Sequence, residues 1–194
     1  MERQKIFLYT DGASSGNPGP GGFGVVLKCG ELRKELSGGF ALTTNNRMEL
    51  LAVITGLEAI RWERADVEIW SDSTYVVKAV NEGWLRSWEA KGWKKVKNVD
   101  LWQRFLAVYR KHNVCLHWLK GHAGHPENER CDALAVAAGA GAAARGVVLP
   151  PDEGFAAGHL SEGAEESGHL RGLGQSGAEE GHLSSGADEV VLRV

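Results

Sequence analysis

Apolar and polar positions along the chain fall into short runs first and a helical repeat afterwards. Residues 5–10 (KIFLYT) form a run rich in β-formers, with Asp11 at its end. Residues 21–28 (GGFGVVLK) and 32–42 read as two further strands, and the turn-rich GASSGNPGPGG and CGE segments join the three as hairpins. The period then changes. Within residues 46–62, Leu50, Val53, Ile54, Leu57 and Ile60 recur at helical spacing on one face. Residues 66–71 (DVEIWS) predict a strand with Asp72 just past it, and residues 73–80 a helix. Residues 100–112 predict another helix with Asp100 as its N-cap, residues 114–119 a strand, and residues 128–144 the last helix. The order β-β-β-α-β-α-α-β-α is that of an α/β protein: a five-stranded mixed sheet flanked by helices.

Composition changes this picture at one place. The 194 residues are 43% hydrophobic and 24% charged, ordinary values for a globular chain with a sizeable core. Beyond Arg145, however, the sequence collapses to Gly, Ala, Ser, Glu and His. GHL recurs at Gly158, Gly168 and Gly181, and GAEE occurs twice. The expected division is therefore a domain over 1–145 and a disordered acidic tail over 146–194. Few apolar side chains remain in that tail to offset an ordering cost of about 1–2 kcal/mol per residue. The closing EVVLRV is apolar enough to dock as a strand or peptide.

Charge divides at the same point. The net charge is -3, but nine acids against two arginines give residues 146–194 a charge of -7, leaving +4 on the rest. Three scattered cysteines without a CxxC argue against a disulfide framework or a zinc ribbon, and read as buried thiols in a reducing compartment. No signal-peptide core or transmembrane stretch is evident, so a cytoplasmic location away from membranes is expected.

Four acids stand in distinctive stretches: Asp11 in YTDGASSGNPGPGG, Glu49 in TTNNRMEL, Asp72 in WSDSTYV and Asp132 in KGHAGHPENERCDALA. Each has an ordinary reading. Asp11 precedes Gly12 in a common turn dipeptide, Asn46 and Glu49 have capping-box spacing, Asp72 is placed to cap the next helix, and Asp132 sits near a helix N-terminus. Brought together, they would form a site whose like charges resist ionising and which a hard divalent cation would neutralise.

These segments, together with VKNVDLWQR, resemble the bacterial branch of type 1 ribonuclease H in order, spacing and wording, from about residue 5 to residue 138. The resemblance implies the ribonuclease H-like fold and an endonuclease that cuts the RNA strand of RNA/DNA hybrids, leaving a 3′-hydroxyl and a 5′-phosphate. It implies two Mg2+ ions, replaceable by Mn2+, held by Asp11, Glu49, Asp72 and Asp132, with Asp11 bridging them. His122, in the GHAGH loop, matches the family's loop histidine, which is thought to move protons or help product leave. His125 reads as structural.

The resemblance also implies how the hybrid is read. Asn17, Asn45 and Asn46 match positions that contact the 2′-hydroxyl side of the RNA, and they suit turns and caps as well. Thr74 stands where relatives often carry Gln. Residues 82–98 (EGWLRSWEAKGWKKVKN) resemble the family's basic protrusion, with Trp84, Arg86, Lys91, Lys94 and Lys95 expected to meet the nucleic acid. Trp88 and Trp93 are expected to pack. Glu89 and Ala90 replace bases there, and the loop after Trp93 is shorter, which predicts weaker hybrid affinity. Arg47 is placed either for phosphates or for a nearby acid. The expected protein is a monomer.

Three alternatives have distinguishing marks. A zinc site from His117, His122, His125 and Cys131 fits no common ligand spacing. A non-catalytic hybrid-binding module would lack one of the four acids, and all four are present. A DNA-cutting relative of the same fold would lack the hybrid-reading motifs.

Overall fold

The computed structural model describes residues 4–145 and 150–155. Strands β1 (Lys5–Ser14), β2 (Gly19–Cys29) and β3 (Leu32–Thr43) come first, then helix α1 (Asn45–Glu58) and strand β4 (Asp66–Ser71). Helices α2 (Thr74–Asn81), α3 (Trp84–Ala90) and α4 (Val99–Tyr109) follow, then strand β5 (Asn113–Trp118) and helix α5 (Pro126–Arg145). The sheet order is β3-β2-β1-β4-β5. The hairpin strands pair antiparallel, whereas β1, β4 and β5 are parallel, so the sheet is mixed as expected.

Two layers of helix cover this sheet. Apolar side chains of α1 and α4 pack with Ile6, Leu8, Val25 and Ile69 into one core, in which Trp102 and Phe105 are fully buried. α5 packs on β1, β2 and β3. Its Cys131 thiol donates to the Tyr9 carbonyl at 3.1 Å, fixing the helix to the central strand. No helix among the described residues is long and apolar enough to cross a membrane.

Local chemistry departs from expectation at five points. Thr44, not Asn46, caps α1, accepting from the Arg47 N–H, and Ser73 caps α2, accepting from the Val76 N–H. Asp100 lies inside α4, whose N-cap is Asn98 in a left-handed conformation; Asp100 turns instead to the Arg47 guanidinium. α3 is an additional helix, too short to show a period of its own. Cys29 and Cys131 are buried as expected, but Cys115 is exposed.

The fifth departure lies beyond Arg145. Residues 150–155 pack against the domain, although composition assigned them to the unstructured tail. Ala41 N–H of β3 donates to the Pro150 carbonyl at 2.9 Å, and the Asp152 carboxylate is buried. Averaged over 49 residues of low complexity, one acid with a buried cationic partner leaves no compositional trace. The rest of the tail, 146–149 and 156–194 with EVVLRV, lies outside the described residues.

Candidate active site

Strand register brings the first two acids together. β1 and β4 are parallel and pair Thr10 with Ser71. The next residue on each is an aspartate, so Asp11, still within β1 and paired with Gly24 of β2, stands beside Asp72, just past the end of β4, at the side of the sheet where α/β proteins usually bind ligands. α1 brings Glu49 to the same place. A Cβ at Gly12 would lie 2.3 Å from Glu49 N and 2.4 Å from Met48 C, so only glycine admits the helix this close to the strand. One carboxylate oxygen from each of Asp11, Glu49 and Asp72 lies within 4.8 Å of the others.

The protonation of these groups records the crowding. Burial, then the Asp72 charge, pushes the Asp11 carboxyl up to about 7, although Gly12 N–H donates to its Oδ1 at 2.8 Å. Glu49 is pushed well above its ordinary value by burial and then by Asp11. Burial also raises Asp72, with His122 pulling in the other direction. Glu49 Oε2 is buried without a hydrogen-bond partner among the described residues. An oxygen-only donor set, an orphaned carboxylate oxygen and mutual repulsion fit a hard divalent cation.

The other two predicted catalytic residues stand around this trio. Asp132, half-exposed on α5, lies outside the group of three oxygens, but its charge raises both Asp11 and Asp72. His122 is exposed, with a positive φ of 52°, and its charge acts on Asp72. The zinc alternative does not form. His117 pairs with Glu68 and stacks on Trp70, while Cys131 is committed to Tyr9. Asp11, Glu49 and Asp72 are the one metal-capable group of three or more among the described residues.

This site can be compared with those of known proteins. Residues 3–140 match the RNase H family model. The chain belongs to the RNase H family. It is 58% identical over 140 residues to a ribonuclease H of Desulforamulus reducens, covering 70% of this chain and 87% of that one. Among solved structures, it resembles LC9-RNase H1, described as a type 1 RNase H with the type 2 active-site motif. Their TM-score is 0.66 and identity 32%, over 73% of this chain and 74% of that one. It also resembles LC11-RNase H1 in complex with RNA/DNA hybrid, with TM-score 0.54 and 28% identity, over 71% and 98% of the two chains.

In this RNase H, the residues expected to read nucleic acid are at the surface. Asn17, Asn45 and Asn46 are exposed at the α1 end of the site, where Asn17 Oδ1 accepts from the Asn45 N–H at 3.1 Å. Thr74 is exposed at the start of α2, two residues from Asp72. Trp84 is 39% exposed on α3, while Trp88 turns inward against Trp102. Arg86, Lys91, Lys94 and Lys95 are exposed and make no ion pair among the described residues. Glu89, a departure from the family's bases, pairs with Arg110 at 2.6 Å. Of the two readings open for Arg47, the structure has the acid pair, with Asp100 and Asp152.

Sequence reasoning missed the close approaches at Gly12 and Gly121, and it missed Asp152. The one signal for Asp152 was local. LPPDEGF is a rigid, partly apolar island, with Pro150, Pro151 and Phe155 set among small and polar residues.

Proposed function

We propose that this RNase H family member is a metal-dependent endonuclease that hydrolyses the RNA strand of RNA/DNA hybrids, giving 5′-phosphate and 3′-hydroxyl ends. The observation that carries the reading is the convergence of Asp11, Glu49 and Asp72 oxygens within 4.8 Å, two of them on buried groups. Asp11, Glu49, Asp72 and Asp132 would hold the metal, and the hard oxygen donors favour Mg2+, with Mn2+ able to substitute. Bound there, divalent ions supply an activated water and charge stabilisation at the leaving oxygen.

The remaining roles belong to the chain itself. Rigid strand ends and α1 hold the carboxylates in place before substrate arrives, which avoids reorganisation during the reaction. His122, on an exposed loop beside Asp72, exchanges protons with the leaving group or product. Asn17, Asn45 and Asn46 bind the ribose side of the RNA strand, where the 2′-hydroxyl marks it as RNA. Thr74 reaches toward the bases beside Asp72. Trp84, Arg86, Lys91, Lys94 and Lys95 hold the other strand through stacking and phosphate contacts. The three free cysteines suit a reducing cytoplasm, and the reading takes the protein as a monomer there.

The test is a substrate panel. Full-length protein is incubated with labelled RNA/DNA hybrid, double-stranded DNA and double-stranded RNA, with Mg2+ or EDTA. Cutting restricted to the hybrid and abolished by EDTA is expected. Equal cutting of double-stranded DNA, or cutting that persists in EDTA, overturns the proposal.

A further inference from the structure

Arg47 is almost completely buried, at 3% side-chain exposure, two residues before Glu49. Its guanidinium donates to two carboxylates. Nη1 and Nη2 reach Asp100 Oδ1 and Oδ2 at 2.9 and 2.7 Å, and Nε and Nη2 reach Asp152 Oδ2 and Oδ1 at 2.7 and 2.8 Å. Asp152 also accepts from Thr43 Oγ1 at 2.6 Å and from the Phe155 N–H at 3.2 Å. Gly154 closes over this knot: a Cβ there would lie 1.9 Å from Asp100 Oδ2 and 2.5 Å from Arg47 Nη2. Residues 150–155 therefore form a strap, tied to β3 at Ala41 and centred on Asp152.

The strap grips a particular turn. Thr43 ends β3, Thr44 caps α1, and Asn45 and Asn46 are the first exposed residues of that helix. Asp152 holds this turn on both sides, through Thr43 before it and Arg47 after it. Both contacts are buried and charge-assisted, which makes them strong and geometrically demanding. Arg47 carries the hold further. Its Nη1 donates to Asn98 Oδ1 at 3.3 Å, and Asn98 Nδ2 donates to the Tyr75 hydroxyl at 3.2 Å. Trp102 Nε1 donates to the same hydroxyl, and Trp102 packs edge-on against Trp88 of α3. Hydrogen bonds thus run from the strap through Arg47 to Trp102, and ring packing carries the path on to α3.

We propose that Asp152 is a positioning residue for substrate: the strap fixes the Thr43–Arg47 turn, so that Asn45 and Asn46 meet the RNA strand already oriented. This rests on the reading of those asparagines given above. Fixing a binding turn in advance lowers the ordering cost of association, so its loss appears in KM before it appears in kcat. Glu49 lies further along a helix buried on nearly every side, which insulates the chemical step.

The experiment uses full-length protein and the substitutions Asp152→Asn, Thr43→Val and Gly154→Ala. Steady-state hybrid cleavage is measured well below each variant's unfolding midpoint, alongside amide hydrogen exchange without substrate. The expected result is a KM for hybrid about tenfold higher with kcat within about threefold. Exchange at Asn45, Asn46 and Arg47 should be at least about tenfold faster, with α5 unchanged. A lowered midpoint with KM and exchange at the turn both within about twofold of wild type overturns the proposal, leaving the strap as a stabiliser only. Should wild type fail to cut hybrid, the functional reading falls, and the exchange measurement alone decides whether the strap fixes the turn.

Discussion

Gly121 and Asp72 are in direct contact across the site: a Cβ on Gly121 would sit 2.3 Å from Asp72 Oδ2 and 3.3 Å from its Cγ. The loop that carries His122 is thereby set against the β4 carboxylate. Gly121→Ala must push one of them away, and a displaced carboxylate loses its alignment with Asp11 and Glu49. The expected outcome is a kcat for hybrid cleavage lower by about a hundredfold, since small misplacements cost that much. Circular dichroism and the unfolding midpoint should stay near wild type. Unchanged kcat would show that the contact has no catalytic weight.

The raised Asp11 carboxyl gives a signed pH dependence. Its value rises from 3.8 to about 7 on folding. Between those limits the folded state binds more protons than the unfolded chain, so this group lowers stability as pH rises through the window. In EDTA, wild type should lose stability from acid toward neutral pH, and Asp11→Asn should show a shallower slope, the remainder coming from the raised Glu49 and Asp72 carboxyls. At slightly alkaline pH the variant should melt about 3 °C or more above metal-free wild type. It should also bind hybrid normally and lose cleavage; a rate within about tenfold of wild type would exclude Asp11 from holding the metal.

Asp132 stands apart from the three clustered oxygens, which separates its contribution. Asp132→Asn is expected to lower hybrid cleavage by at least about a hundredfold while leaving Mn2+ binding at Asp11, Glu49 and Asp72 detectable by calorimetry. Loss of all Mn2+ binding would place Asp132 within the primary ligand set instead.

How much of this was legible beforehand depends on what each residue needs. Strands β1 to β5 and helices α1, α2, α4 and α5 follow from local period and turn chemistry, which neighbouring residues carry. α3 did not, because seven residues make too few turns to show a face. The four acids were visible as motifs, but the meeting of Asp11 and Asp72 depends on the pairing of Thr10 with Ser71, which only the folded sheet supplies. Asp100 looked like a cap because capping is a local property; its pairing with Arg47 joins residues 53 positions apart. Asp152 was less visible still, since it lies beyond a composition break and its partner is 105 positions away.

The lysines that follow α3 predict a salt effect rather than a chemical one. Lys91, Lys94 and Lys95 are exposed and lack ion-pair partners among the described residues. Replacing all three with Ala should reduce the slope of log affinity against log salt by about 2, at roughly 0.7–0.9 per phosphate contact, with kcat at saturation held within about threefold. An unchanged slope would remove them from the hybrid interface.

In the proposed reaction, separate stretches of the chain bring their carboxylates together to share divalent cations at the scissile phosphate. Anomalous diffraction from crystals of the Asp11→Asn protein would miss a ligand, so the measurement belongs to wild type grown with Mn2+ and a hybrid whose RNA resists cleavage. The expected result is Mn2+ peaks coordinated by Asp11, Glu49, Asp72 and Asp132 beside an RNA phosphate. Mn2+ bound elsewhere, with these four carboxylates bare and the hybrid away from them, would contradict it.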